Sequence, residues 1–115
     1  MPPGLAVKAK AIFQPAAADQ RANFSNFGPG VTLAAPGDAL IALYPGGNYG
    51  LGSGTSYSAP LVAGAVALLA ELDSSVTAET ARAARVAGAK PLPGQDLGAG
   101  RLDLLAVLNA YLQGK

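Results

Sequence analysis

The chain of 115 residues contains no cysteine, no histidine and no tryptophan. Without cysteine there is no disulfide frame, no thiolate nucleophile and no zinc-thiolate cluster, and the compartment stays open. Without histidine, a Ser-His or Cys-His catalytic pair is not completed within the chain. Charge is scarce as well: 8 basic and 7 acidic residues leave a net +1. That balance carries no electrostatic footprint for nucleic acid or for an anionic membrane surface. A hydrophobic share of 50% against 13% charged is the reverse of a disordered charged tail. The length suits one compact domain and is too short for two ordinary ones. Met1-Pro2-Pro3-Gly4 is neither a basic nor an apolar leader segment, so no signal peptide is visible and localisation stays unassigned. The longest apolar stretch, residues 59–70, carries Pro60 and Gly64 and falls short of the about 20 residues of a membrane span. A stretch apolar on every side is the mark of a buried core helix.

Residues 5–13 alternate, with Val7, Ala9, Ala11 and Phe13 on one face, and read as a strand. Residues 14–26 are polar and read as a surface loop anchored by Phe24 and Phe27. After Gly28-Pro29-Gly30, residues 31–35 read as a short buried strand, and Pro36-Gly37-Asp38 as a turn. Residues 39–44 and the run through Tyr49 and Leu51 flank Pro45-Gly46-Gly47-Asn48, which predicts a hairpin. A helix is expected over residues 56–72, with Pro60 in about its first turn and a break at Asp73-Ser74-Ser75. Thr77 is the expected N-cap of a second helix, with Glu79 in its first turn and Gly88 beyond its end. A last helix is expected over residues 102–112, with Leu104, Leu105, Val107, Leu108 and Leu112 on its apolar side. Strands first, helices last and a glycine-rich junction between them make an α/β piece.

That junction, Gly50, Gly52 and Gly54 leading into a helix, has two common uses. A phosphate cradle is disfavoured, because the spacing is G-x-G-x-G and no Gly-Lys-Ser/Thr follows. The other use is a nucleophile at the first turn of a helix, with the Ser56 hydroxyl in the field of the helix N-terminus and its N–H aimed at an oxyanion. Local chemistry alone favours a plainer reading, Thr55 or Ser56 as an N-cap.

The string Ser53-Gly54-Thr55-Ser56-Tyr57-Ser58-Ala59-Pro60, followed by Val62-Ala63-Gly64, closely resembles the nucleophile motif of subtilisin-like serine proteases, the subtilases. Three further blocks resemble the family in the family's order. They are the loop from Asp19 to Pro29, the strand and turn Leu33-Ala34-Ala35-Pro36-Gly37, and the closing Gly98-Ala99-Gly100-Arg101-Leu102-Asp103. The resemblance implies that residues 1–115 are the C-terminal part of a subtilase catalytic domain. Its fold would be the end of a doubly wound parallel sheet, with a hairpin leading into a buried helix and two further helices. Carried over, Ser56 matches the nucleophile, and Ser53, Gly54, Thr55 and Tyr57 match the segment around the substrate cleft. Tyr57 stands where many members have Met, and Leu61 where many have a non-catalytic His.

The family's catalytic Asp, its His and its oxyanion Asn lie upstream of the matched part. Asp19 then reads as a loop or ion-pair residue and Asp38 as a turn former. Lys8, Lys10, Lys90 and Lys115 read as strand-face, loop and terminal residues rather than as a base for Ser56. The expected function is that of a serine endopeptidase component, inactive as an isolated chain and acting on peptide or protein substrates once an upstream half completes it. The alternative is a non-catalytic structural or binding module that retains the motif. No cofactor is expected, and no metal: carboxylates that hold a cation in some members are Gly30 and Thr32 here. Leu61, Val62, Val66, Leu68 and Leu69 are expected partly bare, so self-association or domain swapping is expected too.

Overall fold

The computed structural model describes residues 19–114. The strand expected over residues 5–13 lies outside them, as do Lys8, Lys10 and Lys115. An irregular stretch leads into a hairpin, β1 (Leu40–Tyr44) and β2 (Asn48–Gly52), and then into three helices: α1 (Thr55–Leu72), α2 (Ala78–Ala87) and α3 (Leu104–Gln113). The hairpin is antiparallel, in register from Leu40 opposite Gly52 to Tyr44 opposite Asn48. Gly46 and Gly47 both take positive φ in its turn, a region open to glycine at no steric cost.

Each helix stops and starts for a local reason. At the end of α1 the Asp73 N–H donates to the Leu69 carbonyl, while the Asp73 carboxylate accepts from the Ser75 N–H at 3.0 Å and from the Tyr111 hydroxyl at 2.7 Å. That last bond ties the end of α1 to α3. Thr77 caps α2 through a reciprocal box with Thr80, its hydroxyl accepting from the Thr80 N–H at 3.1 Å. The Asp103 carboxylate caps α3, so the helix begins at Leu104 and not at Leu102.

The core is one cluster: Ala65 and Leu69 of α1, Ala81 and Ala84 of α2, and Leu102, Val107 and Tyr111 in and before α3. Gly88, ending α2, sits against the backbone of Ala106 and Val107, leaving no room for a side chain. The radius of gyration, 15.8 Å, exceeds the about 13 Å of a compact domain of 100 residues. The extents, 49 × 35 × 19 Å, give the reason: the body is elongated and flat.

Several expectations are corrected by this thinness. Among the described residues the only sheet is the two-stranded hairpin, and parallel pairing shrinks to one bridge, Ala34 with Arg101. Residues 31–35 form a single bridge rather than a buried strand and are half-buried except for the exposed Thr32, because among the described residues Ala99, Gly100 and Leu102 bond to one edge alone. Helix α1 is not buried: only Ala65 and Leu69 are, while Leu61 and Leu68 stand 42% and 46% exposed. Leu69, expected partly bare, is fully buried because α2 and α3 both close over it. On α3, Val107 and Tyr111 turn inward, and Leu104, Leu105 and Leu112 are exposed. Phe24 and Phe27 are exposed as well, and Phe27 is held by the Arg21 guanidinium stacked 4.0 Å above its ring. By length and hydropathy alone α1 meets the measure of a membrane-crossing helix. One such helix is weak evidence, and two residues of α1, Ala65 and Leu69, pack into the core cluster.

Candidate active site

Ser56 is the second residue of α1. The N-cap is Gly54, with φ 146°, and no side chain caps the helix, so neither Thr55 nor Ser56 serves as a cap. A side chain at Gly54 would be strained in that conformation. The N–H groups of Thr55 and Ser56 belong to the first turn, where the helix has no carbonyl to offer them. Tyr57, the next residue, donates its N–H back to the Gly54 carbonyl at 3.0 Å. Ser56 is exposed, and among the described residues nothing hydrogen-bonds its hydroxyl. No acidic side chain lies in the first turn of α1, so the positive end of the helix is uncompensated there.

Pro60 is the sixth residue of α1, inside the helix rather than in its first turn. It stands four residues after Ser56 and has no N–H to give the Ser56 carbonyl, which loosens the helix at that turn.

The neighbouring candidates have distinct surroundings. The Ser53 hydroxyl donates to Asp38 Oδ1 at 2.9 Å and accepts from the Ala39 N–H at 2.9 Å. The Gly54 N–H donates to the Gly37 carbonyl at 2.8 Å. Tyr57 is half-buried with its ring over Gly52, and its hydroxyl beside Tyr44 pushes the Tyr44 pKa up. Thr55 and Ser58 line two open hollows of about 550 and 410 Å³, both also bordered by Ser25, Ala34, Ala35 and Leu97. Ser56 lines neither. The hollows therefore lie beside the helix start and not over the serine hydroxyl.

No described group near Ser56 is arranged to act as its base. Lys90 is committed elsewhere, with Nζ 2.7 Å from Asp19. Asp19 also accepts from Arg101 Nε, and these two cations hold its carboxyl below the usual carboxylate range, Lys90 foremost. Asp38 carries more than the turn expected of it, since it accepts from Ser53. That bond spans 15 residues and leaves no periodic signature in the sequence. Among the described residues no group of three or more acidic side chains is placed to hold a metal ion.

Residues 5–104 match the family model described as "Subtilase family". "Subtilisin-like serine protease Pen ch 13.0101" of Penicillium rubens is 45% identical over 71 residues, covering 62% of this chain and 18% of its own length. "Subtilisin-like protease 1" of Trichophyton verrucosum is 49% identical over 55 residues, covering 48% of this chain and 14% of its own. Among solved structures, "Prenylagaramide maturation protease PagA" aligns with a TM-score of 0.70 at 27% identity, over 81% of this chain and 38% of that one. The chain thus spans less than a fifth of the two fungal relatives and under half of the solved protease. A match running through nearly all of the described residues leaves one conclusion: the chain belongs to the subtilase family.

Proposed function

We propose that this chain is the nucleophile-bearing part of a subtilisin-type serine endopeptidase, silent by itself and completed by an upstream segment. The observation that carries the reading is Ser56, an exposed hydroxyl on the first turn of α1, unengaged among the described residues and within the family's matched span. In the completed enzyme the Ser56 oxygen attacks the carbonyl carbon of a peptide bond. Its proton passes to a base that this histidine-free chain does not carry. The Ser56 N–H, free of any helical partner, donates to the oxygen that gains negative charge. Collapse expels the amine with that proton and leaves an acyl-enzyme, which water then hydrolyses. Gly54 and Thr55 border the attacked bond in this reading, and Tyr57 stands on the leaving-group side.

Without the base, hydroxyl attack is slow at neutral pH, and loss of triad members leaves mainly oxyanion and binding effects. The absence of histidine also favours a second reading, a structural or binding module that keeps the motif without chemistry. Fluorophosphonate labelling read by intact mass, with Ser56→Ala as control, separates the two. The chain alone stays unlabelled, and labelling at Ser56 appears when the upstream half of the Penicillium relative is added. Specific labelling of the chain alone would overturn the silence, and none in either condition would leave the module reading.

The apolar surface that α1 and α3 expose at Leu61, Leu68, Leu105 and Leu112 supports self-association of the isolated chain. Analytical ultracentrifugation is expected to show dimers or larger species, and a monodisperse monomer at high concentration would reject this.

A further inference from the structure

The first turn of α1 is held by something other than the core. The nearest buried residue of the helix, Ala65, is nine positions beyond Ser56, about 13 Å along the axis. What reaches the helix start is the turn at residues 37–39. Three hydrogen bonds join them: Ser53 Oγ to Asp38 Oδ1, the Ala39 N–H to Ser53 Oγ, and the Gly54 N–H to the Gly37 carbonyl. Two residues in this joint hold uncommon backbone conformations, Gly54 at φ 146° and Ala39 at φ 54°. An alanine at positive φ persists only where its surroundings hold it there, and the Ser53 hydroxyl grips the Ala39 N–H.

We propose that Asp38 and Ser53 form a positioning pair for Ser56, setting the angle at which the helix start presents its hydroxyl and N–H. The inference rests on the reading of Ser56 as nucleophile and changes the role that the family resemblance implies for Ser53. The Ser53 hydroxyl uses its single donor on Asp38 and one of its two acceptor positions on Ala39, so it has no proton left to donate to substrate. Asp38 acts through Ser53 and touches no reacting atom. Such a joint controls rate more than affinity, because displacing a nucleophile by about 1 Å costs on the order of 10²-fold.

Two measurements test the pair. On the isolated chain, amide hydrogen exchange followed by NMR compares wild type with Ser53→Ala, Ser53→Thr and Asp38→Ala. Ser53→Ala and Asp38→Ala are expected to speed exchange at Gly54 and Ala39 about tenfold or more, leaving Leu69 and Val107 unchanged, while Ser53→Thr retains protection. Unchanged exchange at Gly54 and Ala39 overturns the proposal. On the chain completed by the upstream half, the two alanine variants are expected to lower kcat about 10²-fold at constant KM, with Ser53→Thr rescuing. A raised KM at constant kcat would return Ser53 to substrate contact and overturn the pair. If the completed wild type fails to react, the reading of Ser56 falls, while the exchange data still decide whether the joint exists.

Discussion

The helical corner and the hairpin end of this molecule are built on different physics. In the corner, Leu69 and Val107 are fully buried and α1, α2 and α3 share one cluster. In the hairpin the only buried residues are Gly50 and Gly52, and Ile41 and Leu43 are 58% and 81% exposed. The hairpin holds by backbone pairing and by the rings of Tyr44 and Tyr57 lying on its glycines. Ser56 stands at the seam between the two. Stability is therefore concentrated in the corner, and the geometry of the serine depends on polar bonds at the seam.

The contrast breaks most visibly at Leu69. Leu69→Ala is expected to cost about 2–5 kcal/mol, since the side chain is fully enclosed and its loss leaves a cavity. A thin body with this small a core has little margin, so urea denaturation should show loss of the cooperative transition. Leu68→Ala, one position away and 46% exposed, should shift the midpoint far less. Equal effects would mean that the face of α1 carrying Leu68 is covered in solution.

A smaller change enters between α2 and α3. Gly88 has ordinary helical dihedrals, so its need for glycine is steric: an added methyl would press on the backbone of Ala106 and Val107. Gly88→Ala is expected to cost about 1–3 kcal/mol by overpacking. Gly30→Ala, where the added carbon meets open space, serves as the control in thermal unfolding. At the cap, Thr77→Ala should cost about 1 kcal/mol, readable as a lower midpoint, with the hairpin amides unaffected.

These positions also show what the sequence made legible. The caps and stops, Asp73, Thr77 and Gly88, act within a few residues of themselves, so their residue types announce them. The hairpin turn is equally local. The buried face of α3 is not local: Leu104, Leu105, Leu108 and Leu112 are as apolar as Val107, and only the placement of α1 and α2 selects among them. Residues 31–35 read as a buried strand because their composition suits one, but burial needs neighbours that the described residues supply on one edge. At the site, the nucleophile candidate was legible from its motif. The Asp38–Ser53 bond was not, because a single pairing across 15 residues has no period.

The smallest expected effect sharpens the comparison at the third region, the loop of residues 19–29. That loop has no core of its own; it is held by polar bonds to residues 90–101. Asp19 accepts from Lys90 and Arg101, Gln95 donates to its carbonyl at 2.6 Å, and the Gly28 N–H donates to the Asp96 carbonyl at 2.8 Å. Because the two cations hold the folded pKa of Asp19 below its unfolded value, its contribution is present above the unfolded pKa and is lost as pH falls through the folded one. Acidification below about pH 4 should therefore release the loop before the helical corner, which contains no buried charge. Raising salt should weaken the same contact, since it is open to solvent. Limited proteolysis within residues 19–28 at falling pH, beside the intact helical signal in circular dichroism, makes the check. Asp19→Asn should remove the acid-dependent step and leave cleavage independent of pH. Simultaneous loss of loop and helices on acidification would show instead that the loop and the corner unfold as one unit.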